Sequence, residues 1–179
     1  MLWLFPAILA ALSWAISNIG DKYMVSKKIK NPYVYLAFMG LFGLITVLFL
    51  PFISFANLDL EIMILLVVAS ALYFWGGIPY LKAMQIEEAT RVNIWWNLVP
   101  IFSFIIGWTG GLEKFNNNQI FVWVLLVTGS YLASLHSKHK KIYYSKAIGY
   151  MLVAGIVYAI YGHILHNVTQ TISFITAFV

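Results

Sequence analysis

Six long apolar runs, separated by short stretches that hold nearly all of the charge, dominate this chain of 179 residues. That pattern leaves few folds open. Inside hydrocarbon every backbone N–H and C=O must be paired within the protein, so only α-helices and closed β-barrels span a membrane. A barrel strand shows roughly 10 residues of in/out alternation, whereas these runs are continuous and near the ~20 residues that a spanning helix needs. A soluble chain is excluded on charge: 9% of residues are charged here, against roughly 25% in a water-soluble domain. The expected fold is all-α, a multi-pass transmembrane helix bundle.

The expected spans are Leu2 to Gly20 (with an extension to Val25), Tyr33 to Phe55, Ile62 to Leu81, Val92 to Leu112, Ile120 to Leu135 and Ala147 to Leu165. The chain then reaches Val179 in what reads as the opening of a seventh. Pro6, Pro51, Pro79 and Pro100 lie in or near the spans, where neighbouring groups re-satisfy the freed carbonyls. The pairs Ala11/Ala15, Gly107/Gly111, Gly129/Ala133 and Gly155/Ala159 have the small-xxx-small spacing that lets membrane helices approach closely.

Composition also narrows function. The net charge of +5 comes from basic residues in the short connecting segments, where they report topology rather than nucleic-acid binding. There are no cysteines, so disulfides and thiolate metal sites are excluded. The first apolar run lacks a basic leader and a small-residue cleavage site, so it reads as a helix that stays in place. The pairs His136/His139 and His163/His166 have a spacing that places two imidazoles on one helix face. Without Cys or a carboxylate pair nearby, no metal site is expected. No phosphate-binding Gly-rich loop, nucleophile elbow or paired-carboxylate arrangement occurs, so neither an enzyme nor a cofactor is implied.

A short internal repeat organises the chain. Ser13-Trp14-Ala15-Ile16-Ser17-Asn18, followed by Lys22, rhymes at constant offset with Val157-Tyr158-Ala159-Ile160-Tyr161-Gly162, followed by His166. Pro32-Tyr33-Val34-Tyr35 rhymes more loosely with Ser173-Phe174-Ile175-Thr176. Five spans separate the copies, and an odd number inverts one copy relative to the other, an arrangement common in secondary transporters. The expected organisation is a five-helix repeat over residues 1–136 and the beginning of an inverted, truncated second repeat over 146–179.

The segment Ala11-Leu12-Ser13-Trp14-Ala15-Ile16-Ser17-Asn18, with Asp21-Lys22-Tyr23 after it, resembles the start of an EamA-type transporter of the drug/metabolite transporter superfamily. Tyr80-Leu81-Lys82-Ala83-Met84 and Glu88-Ala89-Thr90-Arg91-Val92 resemble that family's third helix and the turn into its fourth. Asn97-Leu98-Val99-Pro100-Ile101-Phe102 and Gly111-Leu112-Glu113-Lys114 resemble the fourth helix and the turn after it, and Gln119 and Gly129 fall at familiar places in the fifth. Such transporters usually have ten helices in two repeats. The resemblance therefore implies a permease or exporter of small metabolites or amphipathic compounds, working by alternating access and incomplete in this chain. The rival expectation is a non-transporting membrane scaffold, or a half-transporter subunit that needs a partner.

Polar groups inside a bilayer usually face the bundle interior or a wet cavity. Trp14, Asn18, Tyr73, Tyr80, Asn93, Trp96, Asn97, Tyr158 and Tyr161 recur at helical spacing and are the candidates for lining a substrate pathway. Their plainer reading is interhelical hydrogen bonding and interfacial anchoring; for Trp3, Trp95, Trp108 and Trp123 interfacial anchoring or packing is the expectation. Asp21 and Lys22 read as a solvated ion pair at the membrane boundary, Glu87, Glu88 and Arg91 as loop charges, and Glu113 as ordering its turn. Lys82 reads as snorkelling to the interface. Aromatic walls suit amino acids, sugars and drug-like cations about equally.

Ten of the 11 basic residues fall in the first, third and fifth connections, with Lys114 alone on the other side. The positive-inside rule makes those odd loops cytoplasmic and the N-terminus external, although members of the resembled family are usually drawn with the N-terminus inside. The expected setting is the cell (plasma) membrane. The expected partners are the lipid bilayer, a small-molecule substrate, and a second half or a homo-oligomer; nucleic acid is not among them.

Overall fold

The computed structural model describes residues 4–53, 58–111, 116–134, 137–138, 141–142 and 145–178. The expectations for Glu113 and for His136/His139 lie outside the described residues. Helix α1 (Leu4–Tyr23) continues through a π-helical turn at Met24–Lys28. Helix α2 (Pro32–Gly43) opens with Asn31, whose side chain accepts from Tyr33 N, and has Pro32 in its first turn. A side-chain acceptor at the cap and Pro at N1 are both favoured at a helix start. A 3₁₀ segment, Leu44–Phe52, extends α2 across the membrane. Asp59 caps α3 (Leu60–Ile86), accepting from Ile62 N at 2.8 Å.

Next come α4 (Ala89–Trp95), α5 (Leu98–Thr109) and α6 (Asn117–Ser134). The two-residue strands β1 (Ser137–Lys138) and β2 (Lys141–Ile142) pair antiparallel and lead to α7 (Ala147–Thr171) and the short α8 (Phe174–Phe178). Among the described residues, five helical segments are long and apolar enough to cross a membrane: Leu4–Lys28, Pro32–Phe52, Leu60–Ile86, Ala89–Thr109 and Ala147–Thr171. The fifth expected span, Ile120 to Leu135, corresponds to α6, which has 18 residues. It opens on three amides, Asn117, Asn118 and Gln119, and carries Thr128, Gly129 and Ser130 in its second half, so its apolar stretch is shorter than the others.

The bundle is built on α3. It packs most extensively against α7, which also packs on α5. At one end Leu81, Ala83 and Met84 of α3 share a core with Val25, Val92, Trp95 and the α7 residues Ala147 and Met151. At the other end Ile62 meets Val168 and Ile172. Helix α7 therefore runs antiparallel to α3. The end of α1 is tied to the end of α3, because Lys22 Nζ donates to the carbonyls of Met84 and Glu87. Helices α1 and α7 thus run in opposite directions. The same contacts gather Lys22, Lys30, Lys82 and Arg91 at one end: Gln85 Nε2 donates to Lys30 O, Arg91 pairs with Glu87, and Lys82 Nζ lies 5.8 Å from the Tyr33 ring centre.

Phe5, Phe42, Leu48 and Phe52 stand exposed on the outside, as expected where lipid is the solvent. Of the small-residue pairs, Gly155/Ala159 lies at a helix contact: a Cβ on Gly155 would meet Leu98 and Phe102 at 3.1 Å, and Ala159 is fully buried. Gly129 faces open space, Ala11 and Ala15 are exposed, and Gly111 sits past α5 with φ +64.

Candidate functional site

Residues 14, 18 and 21 fall on one face of α1 at helical spacing, and Asn18 and Asp21 are the buried residues of that helix, 3% and 7% exposed. Asn18 Nδ2 donates to Trp14 O at 2.9 Å, which leaves its Oδ1 to accept from Tyr80 Oη of α3 at 2.6 Å. The same hydroxyl lies 3.1 Å from Asp21 Oδ2, and Tyr35 of α2 donates to Asp21 Oδ1 at 2.6 Å. A phenol has one hydrogen, and the Tyr80 hydrogen is shared between two acceptors. Oδ2 is therefore the carboxylate oxygen with spare accepting capacity.

This arrangement corrects the expectation of a solvated Asp21–Lys22 pair. Adjacent residues point about 100° apart around a helix. Lys22 is directed to the end of α3, where its charge meets free carbonyls, while Asp21 turns inward. Among the described residues the one ion pair is Arg91–Glu87 at 3.5 Å, so Asp21 has no cationic partner there.

Above this polar group sits a cluster of rings centred on Trp96. Its ring centre lies 5.8 Å from Trp14, 5.1 Å from Tyr80 and 4.9 Å from Tyr158. Tyr158 continues the chain to Tyr73 at 5.5 Å, and Tyr73 to Tyr161 at 5.3 Å. Trp96 reaches this position because the helix breaks between α4 and α5. Pro100 has no N–H to offer the Trp96 carbonyl; Val99 N bonds it instead at 3.0 Å, and Asn97 N bonds Ile94 O at 3.2 Å. The backbone tightens there. Two glycines on α3 let the neighbours close in: a Cβ on Gly76 would lie 3.1 Å from the Tyr158 ring, and one on Gly77 would lie 2.9 Å from Leu36.

These groups enclose a cavity of about 140 Å³. Of the nine expected pathway residues, Trp14, Asn18, Tyr73, Tyr80, Trp96 and Tyr158 line it. Tyr161 instead lines a separate cavity of about 430 Å³ between α2, α3 and α7, which also touches Tyr73. Asn93 and Asn97 line neither, because the break at 96–97 separates them from the face they were expected to share. Asn93 Oδ1 and Trp96 Nε1 are buried with no hydrogen-bond partner among the described residues. The lining residues that sequence reasoning passed over include Leu36 and Met39; Tyr35, the main donor to Asp21, was also passed over. Asp21 carried a signal, its place on the Trp14–Asn18 face, but its charged neighbour masked it.

A further cavity, of about 470 Å³, lies between α5, α6 and α7 and includes His163, whose Nε2 is 3.0 Å from Ser103 O. No group of three His, Asp or Glu side chains placed to hold a metal ion occurs among the described residues.

No curated protein and no solved structure matches the chain. A protein-family comparison does, over residues 1–135, to the EamA-like transporter family. That match covers most of the 179 residues, takes in every membrane segment before α7, and includes the α1 face, Tyr80 and Trp96. The chain belongs to the EamA-like transporter family.

Proposed function

We propose that the chain acts in secondary transport of a small organic solute by alternating access, and that the Trp96-centred cavity is the binding position on the solute's path. The observation that carries this reading is the buried Asn18–Tyr80–Asp21 group. Ionisable and amide groups within membrane helices are costly, and they tend to mark substrate or ion pathways. The broken helix beside the cavity supports the reading, since transporters commonly build their sites at such discontinuities.

The organisation in residues 1–136 and 146–179 fits the same picture. Trp14 and Tyr158 occupy matching places in the two rhyming segments, on helices of opposite direction, and both rings pack against Trp96. A site at a repeat interface has this form. In this reading the remainder of the path comes from a second half or a second copy of the chain. The basic end of the bundle faces the cytoplasm and the protein resides in the plasma membrane, following the charge distribution.

The experiment is a titration of the protein in lipid nanodiscs, read by tryptophan fluorescence, against alanine, glucose and choline. Saturable quenching by at least one of them, lost in Trp96→Leu, is the expected result. No response to any of the three would contradict the reading.

A further inference from the structure

We propose that the cavity receives the head of an organic monocation, a quaternary ammonium or protonated amine, with Asp21 as its counter-charge. This rests on the cavity being a binding position and names the chemistry it selects.

The charge balance points one way. Asp21 is more than nine-tenths buried, receives hydrogen bonds from two phenols and has no cationic partner among the described residues. Phenols lower the cost of burying a carboxylate but do not neutralise it, and a buried charge is normally paired. The nearest basic residue in sequence, Lys22, is committed to the end of α3.

The walls add to the same sign. Trp14, Tyr80, Trp96 and Tyr158 surround the space beside the carboxylate, and the faces of such rings attract cations. Among the described residues nothing basic lines the cavity, so an anion or a zwitterion's carboxylate would find no counter-charge there and would face that of Asp21. A metal ion would require several oxygen or nitrogen ligands, and the lining offers a single carboxylate. An alkylammonium requires none.

Size sets a further limit. The cavity of about 140 Å³ is close to the roughly 150 Å³ void that takes up benzene in a well-studied engineered protein. A trimethylammonium-sized head fits; a polycyclic cation would have to leave its bulk outside. Trp14, 55% exposed, stands at the rim where such a tail would emerge. Asp21 Oδ2, which holds only a share of the Tyr80 hydrogen, is the oxygen available to the cation.

The test compares choline with 3,3-dimethylbutan-1-ol, its uncharged carbon isostere, by tryptophan fluorescence of the whole chain in nanodiscs of neutral lipid. Choline is expected to bind saturably, with the isostere and glucose weaker by about tenfold or more, the scale of one cation–π and ion-pair contribution. Asp21→Asn, which keeps the shape and one of the two accepting oxygens, is expected to abolish the preference for choline. Trp14→Leu, at the exposed rim, is expected to weaken choline more than the isostere without loss of folding. Equal binding of choline and the isostere, or an unchanged preference in a folded Asp21→Asn protein, would overturn the proposal. Preferred binding of glucose or alanine would also overturn it while leaving the binding position standing. Silence toward every probe would overturn both.

Discussion

Tyr35 of α2 donates a 2.6 Å hydrogen bond to Asp21 of α1, across the turn that joins the two helices. With Tyr80 on the other oxygen, the carboxylate is held between α2 and α3. A site whose charge is positioned from two neighbouring helices responds to changes in either.

Tyr35→Phe removes a donor from a buried carboxylate and leaves the ring. The expected loss of stability is about 1–2 kcal/mol, between the value for hydrogen bonds to charged groups in water and the smaller values found in membranes. Tyr33→Phe, at a ring exposed beside the same turn, is expected to cost less than about 0.5 kcal/mol. Thermal melts of the two variants in the same detergent provide the comparison; equal shifts would argue against the Tyr35–Asp21 bond.

Three glycine-to-alanine changes separate packing from propensity. A Cβ at Gly76 meets the rigid Tyr158 ring and Val157 at 3.1 Å, one at Gly77 meets the movable end of Leu36 at 2.9 Å, and one at Gly149 meets nothing within 4 Å. Gly76→Ala is expected to destabilise by about 1–3 kcal/mol as overpacking. Gly77→Ala is expected to cost less, since Leu36 can change rotamer, and Gly149→Ala to be neutral or to stabilise by up to about 1 kcal/mol through helix propensity. The order Gly76, Gly77, Gly149 in melting temperature is the observable.

Lys22→Met uncouples the two roles of neighbouring residues 21 and 22. It removes the ammonium from the carbonyls of Met84 and Glu87, so faster amide hydrogen exchange is expected over the last turn of α3. Choline affinity is expected to change by less than about threefold, because Lys22 does not line the cavity. A tenfold change would place Lys22 in the site.

Much of this site could be read from the chain alone, and the rest could not for definite reasons. The faces Trp14–Asn18–Asp21 and Tyr73–Gly77–Tyr80 follow from helical spacing, and both line the cavity. Helical spacing assumes an unbroken helix. It placed Asn93, Trp96 and Asn97 together, and the turn imposed before Pro100 separates them. The burial of Asp21 depends on where Lys22 goes, and that is decided by carbonyls 62 and 65 residues away. Local charge pattern carries no trace of that contact. Tyr35 was obscured in the same way, since a tyrosine near a span boundary reads as an interfacial anchor.

Reporter fusions test the orientation. With the basic end cytoplasmic, a reporter that works only inside the cell is expected to be active when placed in the connection between α6 and α7 and silent at the N-terminus. The reverse pattern would invert the bundle.

The most direct test of the central claim uses the absence of cysteine from the chain. Ser17→Cys places a single thiol on the cavity lining, and a thiol reacts with a maleimide only where water lets it ionise. In oriented membranes, an impermeant maleimide is expected to label Cys at position 17 from either side, with choline suppressing both reactions. Labelling from one side only, or none from either, would contradict alternating access through this cavity.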